Sequence, residues 1–277
     1  MARLNIIGSG RVSKTLANLF VANGVFEIGD VCDRSIVAAE EATRFIGAGN
    51  PVSEIAAMGV ADLWLISVPD MQIAQVADLL AAHSDNAQPA IAVHCSGATE
   101  AGALDALRAK GWFVASAHPV LSFADPASAV FQFDGTPCGL EGDEQACSTW
   151  GNAMAAIGAR CFDIQSDRKK LYHAAAVLAS NFLPVLTQMS SELWEHAGIP
   201  DELREDMLRT LTRNSIDNLI ALGPKDALTG PAARGDVTVI SEQVEALRSW
   251  DPASAEAYRT LSALAQRFAE TGKVQTR

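Results

Sequence analysis

Through the first 165 residues, short apolar bursts alternate with stretches whose apolar positions recur at helical spacing. Leu4 to Ile7 is the first burst, and Val31 to Asp33 closes the second. Leu63 to Val68 is an apolar run bounded by Pro69 and Asp70, the pattern of a strand buried on both faces of a parallel sheet. Ala90 to His94, Phe113 to Ala115, Cys138 to Leu140 and Arg160 to Ile164 follow suit. Between the first two bursts, Val12, Leu16, Leu19 and Phe20 fall on one face of a helix. Strands spaced by helical segments of this length predict βαβ units and a mostly parallel sheet.

After Gln165 the period changes. Asp167 to Ala197 predicts one long helix, kinked at Pro184. A second helix opens at Asp201 and stops near Gly223-Pro224. Two more helical patterns run from Val237 to Trp250 and from Pro252 to Glu270, and no strand-like alternation interrupts them. The expected fold is therefore α/β over residues 1–165 and all-α over residues 166–277, two domains of ordinary size in a chain of 277 residues.

Composition narrows the partners. With 21 Lys and Arg against 33 Asp and Glu, the net charge of -12 argues against nucleic acid and predicts repulsion from anionic membranes. No apolar run reaches the length of about 18 residues that spans a bilayer, and no secretory signal is visible. The five cysteines are odd in number, widely spaced and without a C-x-x-C pair. They read as buried thiols of a cytoplasmic protein, with neither a disulfide framework nor a zinc site.

Gly8-Ser9-Gly10-Arg11-Val12-Ser13 reads G-x-G-x-x-S, one letter from the Rossmann dinucleotide fingerprint. The first Gly permits a tight turn and the second lets the backbone approach a pyrophosphate. Ser13 is a small residue where a third Gly normally lets helix and strand pack closely. The motif ends a strand and opens a helix, so free N–H groups and the positive helix end face the phosphates. Gly8, Ser9, Gly10, Arg11 and Val12 are thus expected to bind a nicotinamide dinucleotide. About twenty residues on, the second strand ends in Asp33-Arg34-Ser35. Asp33 suits the ribose hydroxyls of NAD, and Arg34 suits the 2′-phosphate of NADP. The Arg34-Ser35 pair tips the expectation to NADP over NAD. A doubly wound fold without nucleotide is the plain alternative.

Five further segments extend the pattern. They are Ser67-Val68-Pro69-Asp70, His94-Cys95-Ser96-Gly97-Ala98, Ser116-Ala117-His118-Pro119, the stretch from Leu171 to Asn181, and the stretch from Leu228 to Asp236. Together with the glycine motif they make the chain resemble, over nearly its whole length, proteins that join a Rossmann-like domain to the domain of unknown function 2520. The resemblance adds Val68 and Pro69 to the expected cofactor contacts. More distantly the architecture is similar to ketopantoate reductases, pyrroline-5-carboxylate reductases and β-hydroxyacid dehydrogenases. It implies a small substrate held between the domains and NAD(P)-dependent hydride transfer to or from a carbon bearing oxygen or nitrogen. It also implies a homodimer through the helical domain, where Leu183, Val185, Leu186 and Leu193 are distributed around a helix. A deazaflavin in place of the nicotinamide stays open, as does a protein that binds or senses nucleotide without catalysis.

Hydride transfer needs a proton donor or acceptor near the reacting heteroatom, and groups that orient the substrate. His173, Val177, Ser180 and Asn181 share one helix face. Similarity to ketopantoate reductases, which present Lys and Asn from a corresponding helix, implies that Asn181 orients substrate and that His173 replaces the catalytic Lys. Imidazole titrates near neutrality and suits that task. His173 reads equally well as a helix-packing hydrogen bond. His118, before Pro119 at the carboxyl edge of the sheet, is either a positioned imidazole or part of a structural corner. Ser96 and Gly97 either approach nicotinamide and substrate or form an ordinary turn, and Cys95 lacks a base partner that would make it a nucleophile.

The stretch from Thr229 to Asp236 predicts a defined loop at a helix start. In it, Thr229 and Arg234 are candidate substrate contacts, Arg234 as a carboxylate clamp. Asp236 is placed to cap the next helix, and an Arg234–Asp236 ion pair is the competing reading. Arg168-Lys169-Lys170 reads as a solvated helix start. Glu202, Glu205 and Asp206 have no His at ligand spacing, so no metal is expected.

Overall fold

The computed structural model describes residues 1–83 and 89–276. The chain divides into two compact units, Met1–Ser180 and Asn181–Arg277. The first begins with β1 (Arg3–Ile7), α1 (Arg11–Ala22), β2 (Glu27–Cys32), α2 (Ile36–Ile46) and β3 (Asn50–Val52). It continues with β4 (Leu63–Ile66), α3 (Ile73–His83), β5 (Ile91–His94), α4 (Asp105–Arg108) and β6 (Phe113–Pro119). It closes with α5 (Pro126–Gln132), β7 (Pro137–Gly142), α6 (Glu144–Ala156), β8 (Arg160–Asp163) and α7 (Lys169–Ser180).

The eight strands form one sheet in the order β3-β2-β1-β4-β5-β6-β7-β8. Every neighbouring pair is parallel except β6 and β7, where His118 stands opposite Gly139. The apolar runs become its buried centre: Leu63, Trp64, Leu65 and Ile66 are all buried, as helices on both faces require. One face packs Leu4, Leu16, Phe20, Phe133 and Trp150, and the other packs Trp64, Ile66, Leu104 and Trp112. Each such side chain stabilises the fold by about 1.5–3 kcal/mol on burial. Phe20 meets Phe26 and Trp150 edge-on, with ring centres 5.0 and 5.5 Å apart.

The long helix expected from Asp167 to Ala197 is two helices. α7 ends at Ser180 and α8 (Phe182–His196) begins two residues later. Pro184 has no N–H to offer the carbonyl one turn earlier, and its ring crowds that carbonyl, so the break falls upstream of the proline at Asn181. The division between units also falls here, after α7, whose Lys169 and Tyr172 are bonded to Ser96 just beyond β5 and to Ser116 and His118 of β6.

The second unit continues with α9 (Asp201–Ala227), α10 (Pro231–Arg234), α11 (Val237–Trp250) and α12 (Pro252–Thr271). α9 is interrupted where it was expected to stop: Gly223 takes φ 79° directly before Pro224. α11 packs on α12 through Val244, Leu247 and Ala255, all buried. Among the described residues this unit holds no strand. No described helix is long and apolar enough to cross a membrane.

Candidate active site

The chain leaves β1 toward β2 on one side and β4 toward β5 on the other, so strand order reverses between β1 and β4. In open α/β sheets ligands collect outside the carboxyl ends of such strands. Gly8 follows β1 with φ +96°, and a Cβ there would lie 2.3 Å from the Ser67 carbonyl oxygen. Only glycine fits this turn. Ser13 does more than tolerate the third position: its hydroxyl donates to the carbonyls of Gly8 and Gly10 at 2.6 and 3.1 Å. Gly10 is the N-cap of α1 and no side chain caps that end, which leaves its leading N–H groups to a ligand.

Two adjoining cavities lie over this turn. One of about 670 Å³ is walled by Gly8, Ser9, Asp33, Arg34, Val68 and Pro69. The other, about 340 Å³, is walled by Arg11, Val12, Phe123, Cys95 and Ser96, and it shares Gly10, Ser67, Val68 and Pro69 with the first. The larger volume lies within the range of about 300–1,000 Å³ usual for small-molecule sites. Volume, bare glycine turn and uncapped helix end together suit a dinucleotide.

Asp33 is already engaged. Its Oδ2 accepts from Ser9 N and Ser9 Oγ at 3.1 and 2.7 Å, and its Oδ1 accepts from Ser35 N at 3.1 Å. Partial burial works against its charge, but the hydrogen bonds from Ser9 and Ser35, with Arg34 beside it, hold its pKa below the usual carboxylate value. Arg34 makes no hydrogen bond or ion pair among the described residues. Ser35 caps α2 by accepting from Ala38 N at 3.3 Å.

Next in the chain to Ser96 of the smaller cavity, Gly97 lies against a cluster of titratable groups. His118 Nδ1 lies 2.9 Å from Tyr172 Oη, and its ring is perpendicular to that of His173 at 5.3 Å between centres. Burial first, then the neighbouring His173 and Lys169, push His118 down to about 4. Gly97 is the floor beneath both imidazoles, since a Cβ there would lie 2.3 Å from His173 Nδ1 and 2.8 Å from His118 Nε2. Ser96 is pinned to the same cluster. Its carbonyl accepts from Lys169 Nζ at 2.9 Å and from Ser116 Oγ at 3.1 Å, while its hydroxyl accepts from Thr99 N at 2.9 Å. Burial pushes the Cys95 thiol up to about 12, which agrees with its reading as a poor nucleophile.

Lys169 corrects the reading of a solvated helix start. It is wholly buried, donates to Ser116 Oγ as well as Ser96, and faces Glu141 Oε1 at 3.7 Å. Glu141 in turn accepts from Ala101 N at 2.5 Å and Ser166 Oγ at 2.7 Å. Lys169, Tyr172 and His173 stand at i, i+3 and i+4, so one face of α7 carries all three. That spacing was available in the sequence. It was masked by the two cations flanking Lys169.

The other expected contacts lie in the second unit or at its start. Asn181 stands at the break between α7 and α8. Thr229 is exposed just before Gly230, whose φ of 92° starts the single turn of α10. Arg234 takes the ion-pair alternative, with Nε and Nη2 on Asp236 Oδ2 at 3.0 and 2.9 Å. Asp236 stands at the N-cap of α11 and makes no side-chain cap there. Cys161 is exposed on β8, contrary to the expectation of buried thiols, although all five cysteines are free. No group of three or more His, Cys, Asp or Glu among the described residues is placed to hold a metal ion.

No curated protein matches the chain. Among solved structures, a protein from Thermotoga maritima is 29% identical with a TM-score of 0.74, covering 97% of this chain and 99% of that one. A Bacteroides fragilis protein provisionally described as an NADP oxidoreductase is 22% identical with a TM-score of 0.79, covering 96% and 98%. A pyrroline carboxylate reductase from Plasmodium falciparum, solved with NADP bound, shares the fold at 10% identity and a TM-score of 0.59, covering 96% and 98%. Family models match twice: residues 1–119 fit the Rossmann-like domain, and residues 136–265 fit the domain of unknown function DUF2520. Together the two matches cover most of the chain, a Rossmann-like segment first and a DUF2520-like segment after it.

Proposed function

We propose that this protein is an NADP-dependent oxidoreductase that transfers hydride to or from a small carbonyl, imine or hydroxy compound. One observation carries the reading: a continuous groove runs from Asp33 and Arg34, past Gly8, Ser9 and Gly10, to Ser96, at the point where strand order reverses. Gly8 to Val12 would hold the diphosphate, Arg34 the 2′-phosphate, and Val68, Pro69 and Ser96 the nicotinamide half. When bound, the nicotinamide supplies or accepts the hydride. His173 and His118 are the groups able to give or take the accompanying proton. Their position against Gly97, next in the chain to Ser96 of the groove, favours catalysis over nucleotide sensing.

NADP is favoured over NAD because Ser9 and Ser35 occupy both oxygens of Asp33, while Arg34 has no ion-pair partner among the described residues. Calorimetry should find NADPH bound more tightly than NADH. Arg34→Ala should weaken NADPH by about 10- to 100-fold, the worth of charge-assisted hydrogen bonds, and leave NADH within a few-fold. Equal affinities would reject the 2′-phosphate role, and no heat from either nucleotide would reject the cofactor reading.

The second unit is proposed to carry a homodimer interface. α8 and α9 expose Leu183, Val185, Leu186, Leu211 and Leu219, and Ile220 is 79% exposed. Apolar surface of that extent is uncommon on a monomer and marks an interaction face. Light scattering at micromolar concentration should return twice the chain mass; a single-chain mass would contradict the proposal.

A further inference from the structure

Tyr172 takes no part in the groove, yet its hydroxyl is aimed at the inner nitrogen of His118, 2.9 Å from Nδ1. The outer nitrogen, Nε2, faces the bare Cα of Gly97, as does Nδ1 of His173. That Nδ1 is buried and has no hydrogen-bond partner among the described residues. A buried imidazole nitrogen left in this state is more tolerable as a bare lone pair than as an unmet N–H donor. Burial pushes the Tyr172 hydroxyl up to about 12, so it keeps its proton and can donate.

We propose that Tyr172 is a positioning residue that sets the tautomer of His118: it donates to His118 Nδ1, which puts the His118 proton on Nε2, the nitrogen turned toward Gly97. His173 Nδ1, buried and without a partner among the described residues, is the nitrogen that stays unprotonated, so the ring proton of His173 resides on Nε2. Which ring nitrogen bears the proton is decided by the partner of the other one. The inference rests on the oxidoreductase reading for its purpose and deepens it, because it names Nε2 of His173 as the atom that handles the proton. The charged and titratable groups facing His118 are Lys169, Tyr172 and His173 of α7, and Asp70 in the turn after β4.

Nitrogen NMR of the protein labelled at its histidine rings tests this without substrate or nucleotide. At neutral pH both rings should show a protonated Nε2 and an unprotonated Nδ1. In Tyr172→Phe, His118 should gain a substantial population protonated at Nδ1. A purely structural tyrosine would alter stability and leave the tautomer in place. Unchanged ring signals in the variant would overturn the proposal. So would a wild-type His118 that already carries its proton on Nδ1, a result that needs no variant to fold. Either failure leaves the calorimetric test of nucleotide binding untouched.

Discussion

Replacing Lys169 with Met should cost about 3–5 kcal/mol of folding stability, the usual consequence of leaving one member of a buried ion pair alone. The ammonium is fully enclosed. It donates to the Ser96 carbonyl at 2.9 Å and to Ser116 Oγ, and it sits 3.7 Å from a Glu141 carboxylate that is buried as well. Methionine fills much of the same volume, so lost packing is a minor part of the effect. The larger part is a carboxylate without a countercharge in a medium that solvates it poorly. Burial lowers the Lys169 pKa and the Glu141 charge opposes that shift, which shows how closely the two depend on each other. Adding Glu141→Gln removes the uncompensated charge and keeps an acceptor for Ala101 N, so the double variant should recover part of the loss. Urea unfolding of the three proteins gives the comparison. A loss below about 1 kcal/mol for the single variant would mean that the pair is not closed to water. The same substitution frees the Ser96 carbonyl, so nucleotide affinity should fall with stability.

That prediction concerns a residue that sequence reasoning placed in solvent. The reason is physical. Strand runs and the glycine turn are local signals, and they were legible: the parallel sheet, the turn at Gly8 and the helix stop at Gly223 all lie where periodicity and turn chemistry put them. Burial of a lysine is not local. It depends on Glu141 from β7, Ser116 from β6 and Ser96 beyond β5, three segments up to 73 residues away from it. The antiparallel setting of β7 was likewise hidden, because an apolar run carries no direction. His173 and His118 were read as separate candidates, and only the fold brings them together over Gly97. For Arg234, one sequence pattern supported both a substrate clamp and a short-range ion pair. Two residues of separation made the ion pair the cheaper geometry in the chain by itself.

Stability should also fall steeply between about pH 6.5 and pH 4, a window set by two histidines. Burial, and then the Lys169 charge, hold His94 at about 4, while the Glu100 carbonyl and Asp70 oppose the shift. His118 is held at about 4 chiefly by burial, then by His173 and Lys169. In the unfolded chain both rings titrate near the ordinary value of about 6.5. Above that pH both states carry neutral rings and the slope is flat. Between the two values the unfolded chain binds protons that the folded chain refuses, so stability rises with pH and is lost on acidification. Each ring contributes about 1.4 kcal/mol per pH unit inside the window. The total is about 3 kcal/mol for the fully buried His94 and somewhat less for the partly exposed His118, where water screens the penalty. His94 has little freedom to escape, since its Nδ1 accepts from Ser96 N and its Nε2 faces the Glu100 carbonyl, both at 3.2 Å. Asp33, held below the usual carboxylate value, adds its own loss only at lower pH. Urea midpoints at pH 6.5, 5.5 and 4.5 should drop in sequence, and His118→Asn should show a shallower drop that retains the His94 share. A profile that stays flat to pH 4.5 would mean that both rings are charged inside the native fold, and a neutral His118 over Gly97 would have to be given up.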